Sequence, residues 1–163
     1  MKSAAAEART ASIFEPVETG HCFCGEIAAR MTGEPFWICF DHDDDCRRAS
    51  GAPLMVWIGY RPDQLDFTKA QPARFSATEG VVRTFCARCG TTIGYDDVRL
   101  SGETYLSIGF MDQPERFIPT AHAFWSERLP WLELADSLHR IEGFTRPRNP
   151  AGSHPAGCAA SDP

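Results

Sequence analysis

Four cysteines, arranged as two close pairs, have the residue types and spacing of a metal site. Cys22 and Cys24 are separated by one residue, Cys86 and Cys89 are separated by two, and a glycine directly follows each pair. A tetrahedral zinc ion in a structural site takes four such soft ligands from the protein. The two pairs therefore predict one zinc ion that joins two distant segments of the chain.

Two disulfides, or free thiols, are the alternative for the same four cysteines. Cysteines separated by a single residue are difficult to bridge. Nothing in the sequence indicates an oxidising compartment, which is where disulfides persist. Metal ligation is therefore the favoured interpretation. The seventh cysteine, Cys158, lies near the C-terminus in a segment to which we assign no function.

A second group of candidate ligands lies in the acidic segment 41–48. Asp41, His42 and Asp43 precede Cys46 in this segment, and Asp44 adds to its charge. Aspartates crowded around one histidine most often form a solvated acidic loop. The segment by itself therefore leaves both a loop and a metal site open.

Charge and composition limit the classes of function. The 163 residues include 22 acidic and 16 basic side chains, for a formal net charge of -6, and the basic residues are scattered along the chain. This distribution argues against a nucleic-acid partner. No apolar segment has the length of a signal peptide or of a membrane span. We therefore expect a cytoplasmic protein without a membrane partner, in which the cysteines stay reduced.

Alternating apolar and polar residues predict one mainly β domain over residues 16–145. Trp131 to Ile141 is the main helical candidate, because its apolar residues recur at intervals of three. Residues 1–15 are predicted to form a flexible arm, and residues 146–163 a flexible tail. The predicted strands, each ended by a turn signal, cover residues 26–32, 36–40, 54–60, 65–68, 73–76, 81–85, 92–95 and 104–110.

Several motifs in fixed order resemble one known family. They are GHCFCG at residues 20–25, CRRASGAP at 46–53, FCARCGT at 85–91, DQPERF at 112–117 and RLPWL at 128–132, with His122 and Trp125 before the last of them. Together they resemble the glutathione-dependent formaldehyde-activating enzyme family, which includes centromere protein V. The resemblance extends from Gly20 to about Phe144.

The resemblance implies a fold and two metal sites. The fold is a β-tent of small coiled antiparallel sheets, held by a structural zinc on Cys22, Cys24, Cys86 and Cys89. A second, more labile zinc is bound in the family by a segment of the form C-H-C-x-x-C, near which glutathione and formaldehyde react. In this chain, Asp41 and Asp43 stand where that segment has its first two cysteines, while His42 and Cys46 match it.

Replacing two thiolates by carboxylates changes the chemistry expected at the second site. Carboxylates are harder ligands and leave the ion more open to water or substrate. A metal held by Asp41, Asp43 and Cys46 would act as a Lewis acid or activate a bound water. His42 is the candidate proton carrier. Cys39 is either a substitute ligand or, as we favour, a buried structural thiol.

Two functions of different classes follow from the resemblance. The first is a carbon–sulfur lyase, similar to S-(hydroxymethyl)glutathione synthase, acting on a small-molecule thiol adduct of an aldehyde. The second is a non-catalytic zinc-stabilised binding module that has kept the fold and lost the second metal. We expect His122 and Trp125 either to line the cleft or to pack in the core.

Overall fold

The computed structural model describes residues 16–146 of the chain. The predicted arm, 1–15, therefore lies outside the described residues, as do Cys158 and the rest of the predicted tail beyond Arg146. Eleven strands and one α-helix make up the regular structure of the described part. The prediction of a mainly β fold with little helix is confirmed.

The described elements follow the chain in this order: β1 Val17–His21, β2 Ala28–Thr32, β3 Trp37–Asp41, α1 Asp44–Ser50, β4 Met55–Tyr60, β5 Leu65–Phe67, β6 Ala73–Phe75, β7 Val81–Phe85, β8 Thr92–Asp97, β9 Thr104–Ser107, β10 Ala121–Ala123 and β11 His139–Arg140.

The strands form two sheets. Strands β1, β2 and β5 make a small antiparallel sheet in the order β1-β2-β5. The other eight form a sheet in the order β11-β10-β3-β4-β9-β8-β7-β6. This larger sheet is antiparallel except at one edge, where β10 runs parallel to both β3 and β11. A bridge between Gly20 and Met111 connects β1 to the segment after β9.

The larger sheet is covered on both faces at its centre. Every residue of β4 is buried, which is the pattern of a strand that is packed on both sides. Val56 and Ile58 contribute to the main core, which also contains Met31 from the small sheet. On the opposite face, Met55 and Trp57 belong to a second cluster together with Cys46, Leu100 and Tyr105. This second face carries the candidate site.

A short helix, α1, replaces most of the acidic loop that the composition suggests for residues 41–48. The side chain of Asp43 accepts a hydrogen bond from the Cys46 N–H at 2.9 Å and so caps the first turn. Gly51 ends the helix with φ of 71°, and its N–H donates to the Arg47 carbonyl at 2.8 Å. Acidic residues in the first turn and basic residues in the last suit the helix dipole.

The predicted helix from Trp131 to Ile141 is wrong. Residues 131–138 have no regular structure, and His139–Arg140 form β11. Trp131 is 67% exposed, so the three-residue spacing of apolar side chains does not create a buried helical face. Asp136 instead accepts a hydrogen bond from the Leu138 N–H, which stabilises a local turn.

Across residues 16–146, no helix combines the length and the apolar character needed to cross a membrane.

Gly20 provides a test of the contact between β1 and the segment after β9. A Cβ atom at this position would lie 2.6 Å from the Phe110 carbonyl oxygen and 2.8 Å from a Phe110 ring carbon. Because backbone cannot move aside cheaply, we expect Gly20→Ala to lower the free energy of unfolding by about 1–3 kcal/mol in urea titrations.

Gly109→Ala is the matched control for this substitution. Gly109 lies in the same region, but nothing stands within 4 Å of a Cβ built on it. Equal losses of stability in the two variants would contradict the proposed close packing at Gly20.

Candidate functional site

The structure brings the two cysteine pairs together in one cluster. The sulfur atoms of Cys22, Cys24, Cys86 and Cys89 all lie within 4.8 Å of one another. The Cys22–Cys24 and Cys24–Cys86 sulfur distances are 3.6 and 3.8 Å. Sulfurs that surround a tetrahedral zinc at 2.3 Å stand about 3.8 Å apart, whereas a disulfide would join them at about 2.0 Å. The cluster has the dimensions of a metal site.

Two similar turns position the cluster. Cys22 follows β1 and Cys86 follows β7, and each of these residues accepts a backbone hydrogen bond at 2.8 Å from the glycine after its pair. Gly25 and Gly90 have φ of 73° and 76°, a left-handed conformation that a residue with a Cβ adopts only with strain. The glycine after each cysteine pair is thus a geometric requirement of the turn.

Additional hydrogen bonds hold the cluster in place. The Ile27 N–H donates to the Cys22 sulfur at 3.3 Å. The two turns are also joined directly, because the Phe23 N–H donates to the Thr91 hydroxyl at 3.1 Å. Four protein thiolates around one ion leave no position for a substrate. The cluster is therefore suited to holding a metal for structure and not for reaction.

The other predicted ligands line a separate cavity on the opposite face of the larger sheet. Asp41 ends β3, Asp43 caps α1 and Cys46 lies in the first turn of that helix. All three border a cavity of about 210 Å³. The junction between β3 and α1 thus directs three sequence-predicted residues toward the same space.

These three side chains do not form a second compact set of ligands. Among residues 16–146, the cysteine cluster is the one group in which three or more ligand atoms lie within 4.8 Å of one another. The Asp41 carboxylate accepts the Asp43 N–H, and the Asp43 carboxylate accepts the Cys46 N–H, both at 2.9 Å. Both carboxylates therefore stabilise the local backbone in this conformation.

The cavity changes the ionisation of its buried groups. Burial raises the pKa of Asp41 to about 6. Burial also raises the pKa of the Cys46 thiol, and the negative charge of Asp41 raises it further, while the Arg83 guanidinium acts in the opposite direction. Two nitrogens of Arg83 lie 3.6 and 3.7 Å from the Cys46 sulfur.

Arg83 is a site residue that the sequence analysis missed. It lies on β7, and its guanidinium rests over the Tyr95 ring at 5.2 Å. The sequence feature that could have indicated it is its charge, in a strand that also contains the apolar residues Val81 and Phe85. In the described part of the chain, no carboxylate forms an ion pair with Arg83.

Aromatic side chains form the inner wall of the cavity. Trp57 and Tyr105 are both only 3% exposed. Ring centroids lie 5.7 Å apart for Trp57 and Tyr95, 5.9 Å for Tyr95 and Tyr105, and 5.8 Å for Trp37 and Tyr105. The Trp57 indole nitrogen is buried and has no hydrogen-bond partner among the described residues. Burial raises the pKa of the Asp41 carboxyl, and the Trp57 indole acts on that pKa in the opposite direction.

His42 lies outside the cavity lining. Consecutive side chains of an extended segment point to opposite sides, so the residue between Asp41 and Asp43 faces away from them. His42 Nε2 lies 3.0 Å from Nδ1 of His122, whose Nε2 lies 3.1 Å from the Asp136 carboxylate. Burial, followed by His122 and Arg47, lowers the pKa of His42 to about 4. The structure therefore places this imidazole in a buried polar chain.

The remaining sequence candidates do not line the cavity either. His122 is fully buried on β10, and Trp125 lies in a short 3-10 helix with the guanidinium groups of Arg128 and Arg140 over its ring. Cys39 is fully buried on β3 and does not belong to the cysteine cluster. Its surroundings are those of a buried thiol.

A comparison with family models agrees with the motifs. The chain matches the family model described as glutathione-dependent formaldehyde-activating enzyme over residues 17–127, which is more than half of its length. A crystal structure of a Rhodobacter sphaeroides protein is similar with a TM-score of 0.48 and 18% sequence identity, over 58% of this chain and 87% of that one. No curated protein matches the chain.

Metal content tests the cysteine cluster. We expect Cys86→Ala to remove one equivalent of metal per chain, measured by mass spectrometry of the purified protein, and to lower thermal stability, because metal binding contributes to folding. Cys39→Ala removes a buried thiol outside the cluster and should keep the full metal content. Unchanged metal content in Cys86→Ala would show that the cluster does not hold the ion.

Proposed function

The chain belongs to the glutathione-dependent formaldehyde-activating enzyme family, and from this premise we propose that it is a carbon–sulfur lyase. Its substrate would be a small-molecule adduct of a thiol and an aldehyde, of the glutathione–formaldehyde type. The observation that carries the proposal is the single cavity lined by Asp41, Asp43 and Cys46. These are the residues that align with the reactive segment of the family.

Zinc is the metal that we assign to the cysteine cluster. Four thiolate ligands with sulfur distances of 3.6 and 3.8 Å suit tetrahedral zinc. At this site the metal would join the segment after β1 to the segment after β7. Its role would be structural.

Asp41, Asp43 and Cys46 are the candidates to hold a second, exchangeable metal. Their mixed oxygen and sulfur donors fit a zinc ion that keeps an open position, and a bound ion would supply Lewis-acid chemistry to the adduct. Each carboxylate uses Oδ1 for its backbone hydrogen bond and keeps Oδ2 as a possible ligand, but the three side chains would have to move closer together to share one ion. This requirement makes weak, reversible binding the expected behaviour.

The side chains of the cavity can orient the adduct by themselves. A hydroxyl group both accepts and donates hydrogen bonds. Asp41 borders the cavity, so its carboxylate would accept a hydrogen bond from the adduct hydroxyl.

Arg83 is suited to the sulfur side of the reaction. When the carbon–sulfur bond of the adduct breaks, its electron pair stays on sulfur and the hydroxyl proton is released, giving an aldehyde and a thiol. The Arg83 guanidinium, which borders the cavity beside Cys46, would compensate the negative charge that develops on the adduct sulfur.

A non-catalytic binding module is the second candidate function. It is favoured by one observation, namely that Asp41 and Asp43 already bind backbone N–H groups and are not assembled around a common point. In that case the zinc cluster would hold the fold and the cavity would only bind a ligand. Under either function we propose a cytoplasmic location, where the cluster thiols stay reduced, and a small-molecule partner.

Substitutions at the cavity separate the two functions. We expect Cys46→Ala and Asp43→Asn each to reduce exchange between glutathione and formaldehyde, followed by NMR, by about 100-fold or more. Asn still caps a helix well, so Asp43→Asn removes the charged ligand while keeping the first turn of α1. Both variants should also lose the exchangeable metal equivalent.

Asp45→Asn is the control, because Asp45 borders the same cavity but is not a proposed ligand. It should keep both turnover and metal content. Exchange no faster than the uncatalysed reaction, together with one metal equivalent that none of the three substitutions changes, would refute the lyase and support the binding module.

A further inference from the structure

The cavity is larger than the hydroxymethyl group of a formaldehyde adduct needs. A water molecule accounts for about 30 Å³ of liquid volume, and an apolar cavity of about 150 Å³ is large enough to bind benzene. The hydroxymethyl group of a formaldehyde adduct is only slightly larger than a water molecule. The cavity of about 210 Å³ therefore has room for a further group attached to the same carbon.

The inner end of the cavity is suited to binding a flat apolar group, because its walls are aromatic. Trp57 and Tyr105 are almost completely buried there, and Trp37 and Tyr95 continue the wall with ring spacings of 5.7–5.9 Å. Aromatic rings attract one another at centroid distances of 4.5–7 Å in stacked or edge-to-face arrangements. A ligand ring bound at such a distance from these rings would gain the same attraction.

The thiol part of the adduct fits the outer end better. Glutathione is a charged peptide, and burying its polar groups against aromatic walls would leave them without partners. Asp45 and Phe144 also border the cavity and are exposed, so they mark its opening. With the thiol directed outward, the group attached to the aldehyde-derived carbon points toward the inner end of the cavity.

We propose that the wall of Trp37, Trp57, Tyr95 and Tyr105 is an aryl subsite, and that the substrate class is the thiol adducts of aromatic aldehydes. The inference rests on the proposed lyase function. The reaction releases an aromatic aldehyde and a thiol: the carbon–sulfur bond breaks with its electron pair going to sulfur, the C–O bond becomes a carbonyl, and the hydroxyl proton passes to the thiolate. No oxidant or reductant is required.

Stable thioethers test the subsite without turnover. S-benzylglutathione carries the ring that the subsite should bind, and S-methylglutathione lacks it. By isothermal titration of the metal-loaded protein, we expect the benzyl compound to bind about tenfold or more tightly than the methyl compound, because burying a ring adds at least 1.4 kcal/mol of affinity. Equal affinities would overturn the aryl subsite while leaving the lyase proposal intact.

Variants locate the preference in the aromatic wall. Tyr95→Leu should reduce the benzyl-over-methyl ratio to about threefold or less, whereas Tyr95→Phe keeps the ring and should keep the ratio. Phe75→Leu changes an aromatic residue that is 57% exposed and outside the cavity lining, and should also keep it. A ratio that survives in Tyr95→Leu would place the ring elsewhere and refute the subsite.

A second pair of probes separates the two proposals. Benzyl methyl sulfide has the ring and dimethyl sulfide lacks it, and neither contains glutathione. Their binding is followed by NMR shifts of the Trp57 indole signal. If neither glutathione compound binds but benzyl methyl sulfide does, the subsite is supported and glutathione is not the thiol. If no probe binds, both proposals are wrong.

Discussion

The convergence of four cysteine sulfurs is the contact on which the arrangement of the two sheets depends. Cys22 and Cys24 follow a strand of the small sheet, and Cys86 and Cys89 follow a strand of the large one. Thiolates held this close repel one another unless a cation lies between them. A metal at this point therefore contributes directly to the stability of the fold, because it compensates charges that folding brings together.

The larger sheet separates structural packing from the candidate chemistry. Ile38 and Ile58 belong to the main core on one face, while Asp41 and Trp57 border the cavity on the other. The ladder between β3 and β4 pairs Cys39 with Trp57 and Asp41 with Met55, so the cavity floor is built from backbone-paired strands. A rigid floor of this kind holds side chains with the precision that orientation of a substrate requires.

The alternation of side chains between the two sides of an extended segment explains the position of His42. His42 lies between Asp41 and Asp43 in an extended segment. Its side chain therefore points to the opposite face, where Phe40 stacks on His122. The chain from His42 through His122 to Asp136 stays buried next to Trp125. Two neighbouring residues in the sequence thus enter different environments, one the cavity and the other a packed polar chain.

Much of the fold and part of the site could be predicted from local sequence. The spacing of Cys22 and Cys24, with the glycine after them, determines a tight turn with two sulfurs on one side, and period-two patterns determine the strands. Helix α1 escaped prediction because it has only seven residues, and its caps, Asp43 and Gly51, are also ordinary loop residues. The opposite error occurred at residues 131–138, where a helix was predicted and none forms. Its apolar residues have helical spacing but no apolar surface to pack against.

Only the tertiary structure decided which distant side chains meet. Trp57, Arg83, Tyr95 and Tyr105 come from four different strands, and none of them carries a local motif that marks it as part of a cavity. Their proximity follows from the register and order of the larger sheet, which depend on contacts between residues far apart in the chain. The sequence identified Cys22, Cys24, Cys86 and Cys89 as a possible metal cluster because the members of each pair lie close together within a short segment. The shape and chemistry of the cavity are non-local, and folding alone brings them into one place.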